Sequence, residues 1–268
     1  MVQFWRKLIP FLMTAMAASA VIAQTKAKPV IKKPVAQPVV VQPQPTPSPT
    51  PAKSQKRNER PVEVDQTPKI PPFTPVYFYE FSRPGFLTEK VTIEHDESGK
   101  GKVTFKRLDS DEMITDPIEL SPRTMEMLKE AFANLNFLNS TESYQYEKDY
   151  PHMGNVAITV KKDGKSRTAK YNWTVNKDAK QLMDIYRGIG QEYVWRFEIG
   201  LASEMQPLQT PSLMDAITLY VDRNEIADPP HLIPILTKLS TDERMPLMAR
   251  NRAAKLIKEI EKAAAKKD

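Results

Sequence analysis

The chain has 268 residues, 40% hydrophobic and 27% charged, with a formal net charge of +6. It has no Cys, which excludes disulfides, thiolate nucleophiles, iron–sulfur clusters and zinc fingers, and only three His (His95, His152, His231), too few for a His-rich metal site. Its 8 Gly form no glycine-rich run, so there is no phosphate-cradling loop of the kind nucleotide enzymes use.

The positive charge is unevenly placed. Residues 1–23 carry +2, residues 24–75 carry +6, and residues 76–268 hold 28 basic against 30 acidic side chains, net −2. The basic balance therefore belongs to the leading segments and does not imply a nucleic-acid partner. Residues 1–23 read as a signal peptide: Arg6 and Lys7 precede an apolar run from Leu8 to Ala18 broken by Thr14, and small residues end at Ala23. Cleavage is expected after Ala23, giving an exported, periplasmic or secreted protein. The 16 residues from Leu8 to Ala23 fall short of the roughly 20 that span a bilayer. The alternative is an uncleaved N-terminal membrane anchor.

Residues 24–75 read as a disordered Pro/Lys-rich linker, with 13 Pro in 52 residues and no Gly. Each Pro fixes its own φ and biases its predecessor to extended geometry, so the spacer is semi-rigid polyproline II with a reach of up to roughly 160 Å. Lys26, Lys28, Lys32 and Lys33 give it a basic patch, suited either to solubility or to anionic lipid or wall polymer.

Residues 76–202 read as an α+β domain, a mostly antiparallel sheet with helices on one face. A strand is expected over 76–81. A hairpin follows, with Val91, Ile93 and His95 alternating, a turn at 96–101, and Val103, Phe105 and Arg107 returning. Ser121-Pro122 starts a helix carrying Met125, Leu128, Ala131, Phe132 and Leu135 on one face. After a Tyr-rich loop at 137–154, a second hairpin turns at Asp163-Gly164, and a helix spans about 177–200. The expected order is β-β-β-α-β-β-α.

The run from Tyr77 to Trp195, with Leu120-Ser121-Pro122, Phe137 and the Tyr-rich loop, resembles a family of uncharacterised exported bacterial α+β domains. The family implies no known activity. Where such relatives carry Gly-x-Cys-Pro, this chain has Arg83-Pro84-Gly85, so no thiol function is implied.

Residues 203–268 read as an all-helical extension, with helices at about 211–222, 229–239 and 241–263. Thr210-Pro211, Asp228-Pro229 and the box Ser240-Thr-Asp-Glu243 mark the starts, and Pro246 is expected to kink or split the last helix. Residues 232–257 resemble one HEAT-type helix pair. A single pair cannot bury its own apolar face, so it should dock on the preceding domain.

No site for a cofactor or metal stands out, and there is no hydrolase signature. His95 and His152, each near acidic residues, are the candidates for a base in an envelope hydrolase. The preferred reading is a non-catalytic binding or structural module, with Tyr144, Tyr146, Tyr150 and His152 as its recognition surface and Tyr77 and Tyr79 beside them on one strand face. The partner would be an envelope protein or cell-wall polymer, not nucleic acid, and membrane only if the leader is retained. The layout also resembles a TonB-like tethered adaptor, and an exported enzyme inhibitor is a further reading.

Overall fold

The computed structural model describes residues 69–266. The signal segment, its cleavage after Ala23 and the spacer up to residue 68 lie outside the described residues.

Six strands form one fully antiparallel sheet in the order β4-β3-β2-β1-β5-β6. They are β1 (Tyr77–Ser82), β2 (Thr88–His95), β3 (Lys100–Arg107), β4 (Met113–Glu119), β5 (Asn155–Lys162) and β6 (Lys165–Tyr171). The period of two explains why the sheet has one wet face. Tyr77, Tyr79, Val91, Ile93, His95, Val103, Phe105, Val156, Ile158 and Val160 are buried on the other. On the wet face three ion pairs cross the strands, Lys90–Glu80 at 3.0 Å, Lys102–Glu94 at 3.5 Å and Lys106–Glu89 at 3.4 Å. Thr104–Thr115 (2.9 Å) and Thr159–Thr168 (2.7 Å) pair across strands. Asp163 and Gly164 both take positive φ (52° and 73°), the geometry of the expected type I′ turn.

The buried face is covered by α1 (Pro122–Asn134) and the first half of α2 (Lys177–Met205). Ser121 caps α1 by accepting from the Thr124 N–H at 3.1 Å, and Asn176 caps α2 by accepting from the N–H groups of Asp178 and Ala179, both at 3.1 Å. The fold is α+β. One strand of it was not expected: β4 carries Asp116 and Pro117, both poor strand formers, and tolerates Pro117 because it is an edge strand, where a missing N–H costs little.

The helical extension comprises α3 (Thr210–Asp222), α4 (Ile233–Thr241) and α5 (Leu247–Ala264), with a 3-10 turn at Pro229–Leu232 before α4. Ser240–Glu243 does not start a helix. Thr241 ends α4, and Asp242 accepts from the backbone N–H of Arg244 at 3.0 Å while its carboxylate pairs with the Arg244 guanidinium. Pro246 then stands at the N-cap of α5, so it opens that helix rather than kinking it.

The expected division at 202/203 falls inside α2. Its C-terminal half, through Trp195 and Ile199, packs in a second apolar core with Met214, Ile217, Leu232, Leu236, Ala249, Ala253 and Leu256. The extension therefore shares a helix with the sheet domain. At Gly188 a Cβ would lie 2.9 Å from the Ala227 backbone nitrogen, so the absent side chain is what lets the chain cross α2 there.

Candidate functional site: a groove with unpartnered donors

Three of the six residues expected to form a recognition surface are core residues. Tyr77 stacks on His95 (4.9 Å) and Phe132 (5.1 Å), and Tyr79 stacks on Tyr186 (5.0 Å). Phe78, on the opposite face of the strand from the two tyrosines, points to the wet side, with the Lys161 ammonium 4.6 Å from its ring. Strand β1 is central, not an edge, and burying two tyrosines on rings of the facing helices outweighs burying one phenylalanine.

Tyr144 is 3% exposed, between Phe137 and Tyr171. Arg167 pins its loop, donating to the Tyr144 hydroxyl (2.9 Å), the Phe137 carbonyl (2.6 Å) and the Glu142 carbonyl (2.7 Å). Tyr146 and Tyr150 are half-buried and His152 is exposed. The Tyr150 ring lies 5.9 Å from both His152 and Trp173. Asp149, expected near His152, is instead engaged by the Asn172 side-chain amide.

His95 is fully buried. Its Nδ1 donates to the Asp96 carbonyl (2.8 Å), so Nε2 carries the lone pair that accepts from the Tyr186 hydroxyl (2.9 Å). Both nitrogens are occupied, and burial lowers its pKa to about 4. Such a histidine is a structural part of the core.

His231 donates from Nδ1 to Glu192 at 3.0 Å. Glu192, Asp228 and His231 hold ligand-type atoms within 4.8 Å of one another. The Asp228 carboxylate, however, already accepts from the Ser121 N–H (3.1 Å), the Ser121 hydroxyl (2.5 Å) and the Thr124 hydroxyl (2.7 Å). Burial raises the Glu192 pKa, and hydrogen bonding to Glu192 raises that of His231. This cluster fastens the Pro229–Leu232 turn to α1 and α2.

The most ligand-like feature is a groove of about 530 Å³. One wall is the end of β1 and the β1–β2 loop, with Phe81, Arg83, Phe86 and Leu87. The floor is α2, with Arg187, Gln191, Val194 and Trp195. Leu213 and Tyr220 of α3 form the far wall, and Met153, just after Tyr150 and His152, forms one rim. Two donors in these walls lack partners: Arg83 Nε and Trp195 Nε1 are both shielded from water and make no hydrogen bond. Phe86 and Leu87, which flank the opening, are exposed, and the Arg83 guanidinium sits over the Phe86 ring. Glu198, the acid in the lining, is neutralised by an ion pair with Arg107, and burial raises its pKa. Arg83 and Arg187 have no carboxylate partner among the described residues.

Sequence reading missed this groove. Arg83-Pro84-Gly85 registered only as the place where a Gly-x-Cys-Pro stretch is missing, and Trp195 as the end of the run that carries the resemblance. The exposed pair Phe86-Leu87 next to a turn was the one available signal.

Set against models of protein families and against curated protein sequences, the chain matches none. Among the described residues, no helix is long and apolar enough to cross a membrane.

Proposed function

We propose that the chain is a non-catalytic binding module of the bacterial envelope, exported and carried on its Pro/Lys-rich spacer, and that its groove takes an extended segment of a partner protein. The observation that carries this reading is the pair of unpartnered buried donors, Arg83 Nε and Trp195 Nε1, in the walls of one apolar groove. A buried donor left unsatisfied costs about 1–3 kcal/mol, and an incoming acceptor recovers that cost. Two guanidinium groups without carboxylate partners, set among aromatic and aliphatic walls, complement an apolar side chain followed by an acidic one. Displacing the exposed Phe86 ring opens the Arg83 guanidinium to such a ligand.

Trp195 supplies the test, in a chain whose other tryptophans, Trp5 and Trp173, are replaced by Phe. The acetylated peptide Leu-Phe-Glu should quench or shift Trp195 emission and bind at least tenfold more tightly than Leu-Phe-Gln amide. Arg83→Ala should remove that preference. Trp195→Phe, which deletes the unpartnered N–H, should leave the free protein as stable or up to about 1 kcal/mol more stable, while weakening peptide binding measured by calorimetry. Equal binding of both peptides, unchanged by either substitution, would discard the reading. For export, the intact mass of protein recovered from the envelope should correspond to loss of residues 1–23. The full-length mass would favour the anchored, TonB-like alternative.

A further inference from the structure

A second cleft, of about 560 Å³, lies on the other side of α2 from the groove. It is bounded by the start of β3, the end of β4 and the Pro229–Leu232 turn. Its charged lining is Lys69, Lys100, Arg196 and His231, against the single acid Glu119. We propose that this cleft binds a phosphomonoester, the phosphate held by Arg196, Lys100 and His231 and the organic part by the apolar walls.

Three observations support it. First, two of the three cations are unspent, the third, His231, being hydrogen-bonded to Glu192 through Nδ1 only. Lys90, Lys102 and Lys106 on the wet face of the sheet are each matched with a glutamate, whereas neither Lys100 nor Arg196 has a carboxylate partner among the described residues. Second, the arginine is preorganised. The Arg196 guanidinium lies 4.7 Å from the Tyr193 ring centroid, which restrains its plane. Third, the walls are stiff and apolar. Pro71, Pro117, Pro230, Pro234 and Tyr193 line the cleft, and its size falls in the range of roughly 300–1,000 Å³ typical of organic-ligand sites, too large for a bare ion.

The charge count selects phosphate over carboxylate. A phosphomonoester brings about 1.5 to 2 negative charges, enough for several converging cations, while a carboxylate brings one. The hydrogen bond to Glu192 also raises the His231 pKa and favours the cationic ring. With no glycine-rich nest in the chain, side chains must supply all the phosphate contacts.

The same chemistry is presented by a soluble sugar phosphate and by a phosphate headgroup on a lipid, so the test has an arm for each. Calorimetry on the full chain would use glucose 1-phosphate and glucose. Flotation would use phosphatidylcholine vesicles with and without phosphatidic acid. Binding of glucose 1-phosphate but not glucose, or of phosphatidic acid vesicles only, is expected, with at least a tenfold loss in Arg196→Gln and in Lys100→Gln at unchanged melting temperature. Lys90→Gln on the wet face should bind as the unmodified chain does. Equal affinity for glucose and glucose 1-phosphate, or binding that persists in both variants and so belongs to the lysines of the spacer, would overturn the proposal, as would no binding in either arm.

Discussion

Acidification from about pH 6.5 to about pH 4 is expected to destabilise the fold by about 3 kcal/mol through His95 alone. The ring is sealed in the first core, stacked on Tyr77, with Nδ1–H on the Asp96 carbonyl and Nε2 on the Tyr186 hydroxyl. Burial, the largest influence, lowers its pKa from 6.5 to about 4, against smaller upward effects from Asp96. A group whose folded pKa is depressed stabilises the fold above its unfolded value and loses that contribution as pH falls through the folded one. In this window the unfolded chain binds a proton that the folded chain refuses. Asp116, Glu192, Glu198 and His231 act in the opposite sense, because their pKa values are raised on folding and their contribution falls as pH rises. The measurement is therefore a difference: urea unfolding from pH 4 to 8 for the unmodified chain and for His95→Gln. The variant should be less stable at pH 7, by about 1–3 kcal/mol for disturbed core hydrogen bonds. Its stability should decline much less toward pH 4. Parallel curves would show that His95 does not carry the acid response.

Much of the architecture was legible because local chemistry and tertiary packing agree. Asp163-Gly164 can take two consecutive positive φ values, and Ser121-Pro122 can begin only one kind of element well, so the second hairpin and α1 fell where they were read. β4 was illegible because Asp116 and Pro117 argue against a strand, and pairing with β3 and the burial of Ile118 decide it. The direction of β1 was misread for a related reason. Alternation alone places Tyr77 and Tyr79 opposite Phe78 but does not say which set meets the helices, and Tyr186, Phe132 and His95 decide it. The capping box at Ser240–Glu243 failed because Thr241 is already the last residue of α4. The groove is harder still. Arg83, Met153, Arg187, Trp195 and Tyr220 come from four separate elements, and a donor without an acceptor is a property of three-dimensional surroundings that no spacing records.

Asp228 shows the same point with a larger energetic consequence. In sequence it is the residue before Pro229, in the position of a helix cap. In the fold it is 6% exposed and makes no cap for its own turn. Its carboxylate instead reaches the N-terminus of α1, where it takes the Ser121 N–H and the Ser121 and Thr124 hydroxyls. That helix has no acidic residue in its first turn, so Asp228 supplies, from about one hundred residues away, the negative charge that the exposed N–H groups and dipole favour. Asp228→Ala leaves three donors buried without this acceptor and is expected to cost about 3 kcal/mol. Asp228→Asn keeps one acceptor oxygen and should cost about half as much. The loss should be coupled to α1. In Ser121→Ala/Thr124→Val, where two of the donors are already gone, Asp228→Ala should cost at least about 1 kcal/mol less than in the unmodified chain. Urea unfolding of the four chains gives the cycle, and hydrogen exchange locates the effect. Faster exchange at 121–125 and 226–232, with β1 and β5 unchanged, is the expected pattern for a latch between α1 and the helical extension. Additive losses with no local change in exchange would mean that Asp228 acts through the general stability of the second core and that the extension is held to α1 by packing alone.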